Sequence, residues 1–193
     1  MADTITLDPK RTALVLIDLQ QGIAGMPLAP RSGDEVVATA KDLARRFRAA
    51  GAPVVLVHVG WQPDGADRPS SNVDRPMQLP PGGLPPEWME FVPGLEEEGD
   101  IRIHKRQWGA FTGTPLDLQL RRRGISTIVL GGIATNFGVE STARHAWELG
   151  YDIVIAEDAT SSRAAELHDF AIANIFPQIA RIRRSDALVF GDA

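Results

Sequence analysis

Short apolar runs recur along this chain between stretches of helical spacing, and they constrain the fold more than any other feature. Ala13–Ile17 runs into Asp18, Val54–Val57 follows Gly51, and Thr127–Leu130 runs into Gly131 and Gly132. Ile153–Ala156 runs into Glu157 and Asp158, Ile101–Ile103 is shorter and alternates, and Ala180–Ile182 is a weak sixth candidate. Runs rich in β-branched residues and bounded by turn residues read as strands buried on both faces, the pattern of a parallel sheet.

Helices fill the intervals. From Asp34 to Ala50 the apolar residues Val36, Val37, Ala40, Leu43, Ala44 and Phe47 keep helical spacing, with Gly51 as the stop. Thr114, Pro115 and Asp117 read as an N-cap, a proline in the first turn and the acid of a capping box, opening a helix that stops at Gly124. A third helix is expected from about Asn136 to Leu149, and a fourth from Arg163 to Ile175, closed by Pro177. Strands alternating with helices predict an open, mostly parallel α/β sheet. The stretch 61–99 interrupts the rhythm. It holds eight of the fourteen prolines, and Pro80-Pro81-Gly82-Gly83 sustains neither helix nor strand. A loop this long reads as a lid or pocket wall, with Trp88 and Phe91 pinning it to the body. Nothing marks a boundary, so 1–193 is read as a single domain.

Composition narrows the function. A net charge of −5 argues against a nucleic-acid partner, since binding phosphates calls for a basic surplus. No apolar run reaches the ~18 residues of a membrane span, and the first residues lack a signal peptide's apolar region, so no membrane association and a cytoplasmic location are expected. The chain has no cysteine, which removes disulfides, thiolate metal sites and any thiol nucleophile. His58, His104, His145 and His168 show no ligand spacing, so neither a metal nor a cofactor is expected. Glycine-rich phosphate loops and the Gly-x-Ser-x-Gly elbow are absent.

In a parallel sheet, ligands bind beyond the carboxyl ends of the strands. Asp18 follows four aliphatic residues there and suits acid–base work or the capping of a loop. Lys105 follows the third strand, where it faces Asp18 or lies in solvent. Gly131 to Arg144 carries a buried strand through glycines into a helix. Asn136 and Asp158 read as structural caps.

Four segments in this order resemble the isochorismatase-like hydrolases, which include isochorismatases, nicotinamidases and N-carbamoylsarcosine amidases. They are Leu14–Gln20 (Leu-Val-Leu-Ile-Asp-Leu-Gln), Lys105–Phe111 (Lys-Arg-Gln-Trp-Gly-Ala-Phe), Gly132–Thr135 with Val139–Arg144, and Leu149–Ala159. The resemblance covers nearly the whole chain. It implies a three-layer α/β sandwich with a six-stranded parallel sheet flanked by helices. It also implies an aspartate, lysine and cysteine trio that falls on Asp18, Lys105 and Gly138, and a cis peptide at Ile133–Ala134 whose N–H serves an oxyanion hole. The cysteine is therefore replaced by glycine, as it also can be in true isochorismatases. The nicotinamidase pattern lacks its second histidine after His58.

The resulting expectation is a hydrolase that works without a cysteine nucleophile on a small carboxylated substrate, such as an enol ether resembling isochorismate. Asp18 supplies the acid or base, Lys105 orients the substrate or holds its carboxylate, and the Gly138 N–H joins a polar cradle. Gln20, Trp61, Arg106, Trp108, Phe111, Ile133, Ala134 and Thr135 are the expected substrate-binding residues. Arg68 and Arg75 are weaker candidates for a carboxylate partner. Thr135 and Ser141 are nearby hydroxyls with no histidine partner evident in the sequence. The alternatives are a catalytically silent binding or scaffold protein, or an amidase with another nucleophile. A homo-oligomer, dimer or tetramer, is expected through the helix face carrying Arg144, Trp147 and Glu148.

Overall fold

The computed structural model describes residues 4–69, 72–77, 79–80 and 83–191. Met1 to Asp3 of the amino-terminal reading, and Pro81 and Gly82 of the proline-glycine stretch, lie outside the described residues. The elements are β1 (Ile5–Leu7), β2 (Thr12–Ile17), α1 (Gln21–Ala24), α2 (Gly33–Ala49), β3 (Val54–Val59), β4 (Ile101–Lys105), α3 (Leu116–Arg122), β5 (Thr127–Ile133), α4 (Glu140–Glu148), β6 (Asp152–Ser161), α5 (Ala165–Phe170), β7 (Arg181–Arg183) and β8 (Leu188–Phe190).

Six strands form one parallel sheet in the order β4-β3-β2-β5-β6-β7. The order reverses between β2 and β5, so the crevice of an open α/β sheet falls at their carboxyl ends. Alternation along the central strands divides the core. Leu14 and Leu16 of β2 and Val154 of β6 face α2, whose Val36, Ala40, Leu43, Ala44 and Phe47 complete one layer. Ala13, Val15, Ile17, Ile153 and Ile155 face the layer containing Leu116, Leu120, Val139, Ala143 and Ala146. Both faces are thus covered, as apolar runs without polar alternation require.

A second sheet pairs β1 with β8, again in parallel. Its three-residue strands are too short to show a periodicity in the sequence. A capping box opens α2: Ser32 Oγ accepts from Glu35 N at 3.3 Å, and Ser32 N donates to Glu35 Oε2 at 2.9 Å.

Three helix expectations need correction. The box at Thr114 does not form, because Thr114 Oγ1 bonds Leu116 N at 3.2 Å and Ala110 O at 2.5 Å, while Asp117 accepts from the Tyr151 hydroxyl at 2.8 Å. The third helix begins instead as a wide π turn over Thr135–Val139, in which Val139 N reaches back to Ala134 O at 3.3 Å, before α4 proper. The fourth is α5 followed by a π turn (Ala171–Ile175) and a 3₁₀ turn (Phe176–Gln178). Pro177 sits inside that last turn rather than after the helix, where its missing N–H costs nothing.

The 61–99 segment is pinned as expected. Phe91 is buried and bridges Gln20, and Trp88 stacks on Trp61 at 6.3 Å. Trp88 also lies against Gly22 so closely that an added Cβ would sit 1.8 Å from its ring.

Gln20, expected at the substrate, instead ties strands together. Its fully buried amide accepts from Val59 N at 2.8 Å and donates to Val59 O at 2.9 Å. Gln20→Leu strands both backbone groups away from water. Urea denaturation is expected to show a loss of about 2–4 kcal/mol, and a loss below about 0.5 kcal/mol would contradict this role.

Candidate active site

Asp18 leaves β2 with φ 52°, a left-handed conformation unusual outside glycine, while its N–H donates to Val57 O at 2.9 Å. Gly132 allows the neighbouring approach: at φ 117° a Cβ there would lie 2.0 Å from Ile17 O. Lys105, at the end of β4, reaches past β3 and sets its Nζ 2.7 Å from Asp18 Oδ2. Both side chains are buried, Lys105 to 2% exposure and Asp18 to 5%.

The ammonium also donates to Gln107 O at 3.1 Å and Trp108 O at 2.8 Å. Its three donors are therefore committed to the protein, which corrects the expectation that Lys105 holds a substrate carboxylate. It fixes Asp18 and the 107–108 backbone instead. Asp18 Oδ1, by contrast, is buried with no hydrogen-bond partner. Burial raises the Asp18 pKa to about 6 and outweighs the opposing attraction and hydrogen bond of Lys105.

Gly138 closes the third side. A Cβ built on it would lie 2.8 Å from Ile17 Cγ2 and 3.3 Å from Asp18 Oδ2, so the place a cysteine side chain would start from is packed by Ile17 and faces the carboxylate. The Ile133–Ala134 peptide is cis. Ile133 is buried, and Ala134 O accepts from Phe137 N at 3.1 Å.

The remaining expected contacts disperse. The guanidinium of Arg106 is ion-paired with Asp67 and lies 2.6 Å from His104 Nε2, leaving it poorly placed for a carboxylate at Asp18. Trp61 donates to Arg106 O at 2.7 Å, and Arg68 stacks over the Trp61 ring. Arg75 is exposed. Phe111 is buried in the core between His145 and Tyr151 rather than in a pocket wall. Trp108 alone of the three aromatics stands near the site; the residue is 58% exposed, and its ring lies 4.8 Å from that of Phe137, which the sequence does not single out.

Thr135 has a histidine partner after all. Its Oγ1 lies 2.9 Å from His168 Nδ1, and both residues are buried. His168 Nε2 lies 3.4 Å from Glu157 Oε1, which Arg31 holds at 2.6 Å. The His168 hydrogen bond, then Arg31, pull the Glu157 pKa to about 2 against its partial burial. These contacts arise because β6 bulges: two steps along β5, from Leu130 to Gly132, match five along β6, from Ile155 to Thr160. Asp158, inside this longer strand, caps Ser185 N and Oγ at 2.7 Å each, the structural role expected of it. Asn136 accepts from Ser162 Oγ at 2.5 Å, also a structural contact.

A hollow of about 450 Å³ lies at the opposite, amino-terminal end of the sheet, lined by Thr6, Arg11, Ser126, Asp152 and Arg181 among others. The perturbed carboxylate is not there but at the Asp18 end, which makes that end the candidate site. Among the described residues no cluster of three His, Cys, Asp or Glu could hold a metal ion, and no helix is long and apolar enough to cross a membrane.

The structure is an open parallel α/β sheet with a buried acid and lysine at its switch point, and the profile of the Isochorismatase domain matches residues 12–187. The chain belongs to the isochorismatase family. It is 53% identical over 186 residues to the uncharacterized isochorismatase family protein YecD of Escherichia coli O157:H7, covering 96% of this chain and 98% of that one. An isochorismatase family protein from Burkholderia thailandensis superposes with a TM-score of 0.91 at 48% identity, over 96% of this chain and 97% of its own. The ureidoacrylate amidohydrolase RutB of Methylobacterium radiotolerans is 36% identical over 196 residues, 90% of this chain and 76% of that protein.

Gly138→Ala tests the packing at the glycine. The added methyl must displace Ile17, so a loss of about 1–3 kcal/mol is expected in chemical denaturation, relieved in an Ile17→Ala background. Equal stability of Gly138→Ala and wild type would contradict the tight fit.

Proposed function

We propose that the protein is an isochorismatase-family hydrolase that cleaves the enol ether of a small carboxylated substrate by acid catalysis, with no covalent enzyme intermediate. The observation that carries this reading is Asp18: one oxygen is held by Lys105, the other is buried with no partner, and its proton is retained to about pH 6. A buried carboxyl with one oxygen committed has the other available for a single proton transfer.

The Asp18 carboxyl gives its proton to the terminal vinyl carbon, and the electron pair of the double bond forms the new C–H bond. The positive charge falls on the ether carbon as an oxocarbenium. Water adds there and returns a proton to Asp18. The hemiketal collapses: its ether C–O bond breaks, its hydroxyl becomes the keto carbonyl, and the hydroxyl proton passes to the departing oxygen, releasing an alcohol and a keto acid. Gly138 contributes its backbone to the cradle beside Asp18. Lys105 holds Asp18 in place and is not consumed.

The amidohydrolase named among the relatives supports an amide substrate as the second reading, with Asp18 as the base that activates water. A nucleophilic route of the thiol kind has no side chain at Gly138 to run through. A silent binding protein is the third outcome. Self-association as a dimer or tetramer in the cytoplasm belongs to the same reading, supported by Trp147, 54% exposed on α4.

Pyruvate release from isochorismate and related enol ethers, with amides in parallel, tests the proposal. The active form is the protonated acid, so kcat is expected to stay level below pH 6 and fall about tenfold per unit above it. Asp18→Asn is expected to lower kcat by about a hundredfold or more. A rate that rises through pH 6 favours the base mechanism on amides. No turnover of either class favours the silent protein.

A further inference from the structure

We propose that His168 is a positioning residue for the turn that carries Gly138, acting through the Thr135 hydroxyl. The inference deepens the functional reading above and rests on it for the importance of that turn. Thr135 is the first residue of the π turn Thr135–Val139, and it directly follows the cis peptide. Its side chain points away from solvent, and Oγ1 meets His168 Nδ1 on α5 at 2.9 Å. A residue expected at the substrate is thus tied inward.

The chemistry of the partners sets the direction of each bond. A carboxylate only accepts, so the His168 nitrogen facing Glu157 carries the hydrogen. In the neutral ring this leaves Nδ1 as the acceptor of the Thr135 hydroxyl hydrogen. The same hydroxyl, imidazole and carboxylate order serves nucleophiles elsewhere. Here Thr135 is fully buried, which suits it to holding rather than attacking.

Glu157 is itself fixed. Arg31 donates to its carboxylate at 2.6 Å and to its main-chain oxygen at 3.3 Å. Arg31 in turn is locked to Ser161, its N–H donating to Oγ at 3.2 Å and its carbonyl accepting from Oγ at 2.6 Å. The chain of contacts runs from the loop before α2, through the β6 bulge and α5, to the first residue of the turn. Each link is buried or partly buried, so loosening the last one moves the backbone at Ala134 and Gly138 rather than merely exposing a hydroxyl to water.

The test is backbone and imidazole NMR of the full chain beside the enol-ether assay. Thr135→Val keeps the volume and removes the hydroxyl, Thr135→Ser restores it, and His168→Ala removes the partner. The ring hydrogen is expected on Nε2 in the neutral form. Thr135→Val and His168→Ala are expected to displace the amide resonances of Ala134 and Gly138, and Thr135→Ser to return them. In turnover, kcat is expected to fall about tenfold to a hundredfold in Thr135→Val with KM less affected. Wild-type Ala134 and Gly138 resonances in Thr135→Val would overturn the proposal, even if His168→Ala fails to fold. An enzyme without enol-ether turnover whose amides shift as described would refute the functional reading and leave the positioning role standing.

Discussion

Burial of Asp18 against Lys105 is the interaction on which the rest of the site depends. Two opposite charges withdrawn from water attract strongly, yet each loses its hydration, and for Asp18 that loss is the larger effect. The aspartate therefore sits between two demands. Lys105 keeps it oriented and partly charged, while the apolar wall of β2 favours its protonated form. Because the lysine's other donors are spent on Gln107 and Trp108 oxygens, it serves as a brace between β4, the following loop and Asp18.

Gly138 has meaning only beside that pair. A side chain there would press on Ile17 and approach Asp18 Oδ2, so the absence of a Cβ and the position of the carboxylate are coupled. The turn that carries it is held from the far side by the β6 bulge. Glu157 and Asp158, neighbours in sequence, depart from the strand to opposite tasks, one toward His168 and Arg31, the other toward Ser185.

The strand succession was legible in the sequence because a buried parallel strand must be apolar on both faces, and the six main strands fall on the six runs. Asp18, Lys105 and Gly138 come together as the motif resemblance implied. Side-chain partnerships were less legible. Gln20 looked like a ligand because a polar residue at a strand end usually is solvated or functional, yet it satisfies Val59. Phe111 went to the core, and Arg106 went to Asp67. His168 was visible as a helix residue, but its pairing with Thr135 depends on a change of strand register and on the short length of α5, neither of which leaves a periodic trace. The Thr114 reading failed through competition, since Tyr151 claims the acid that a capping box would need.

The central claim is that burial wins over Lys105 at Asp18, leaving an acid that titrates near neutrality. Carboxyl ¹³C NMR of Asp18 across pH measures this directly. A midpoint near 6 is predicted in the wild type, moving higher still in Lys105→Met as the lowering influence of the cation is removed. A wild-type midpoint at or below the ordinary aspartate value of 3.8 would contradict the account, because Asp18 would then hold no proton to give.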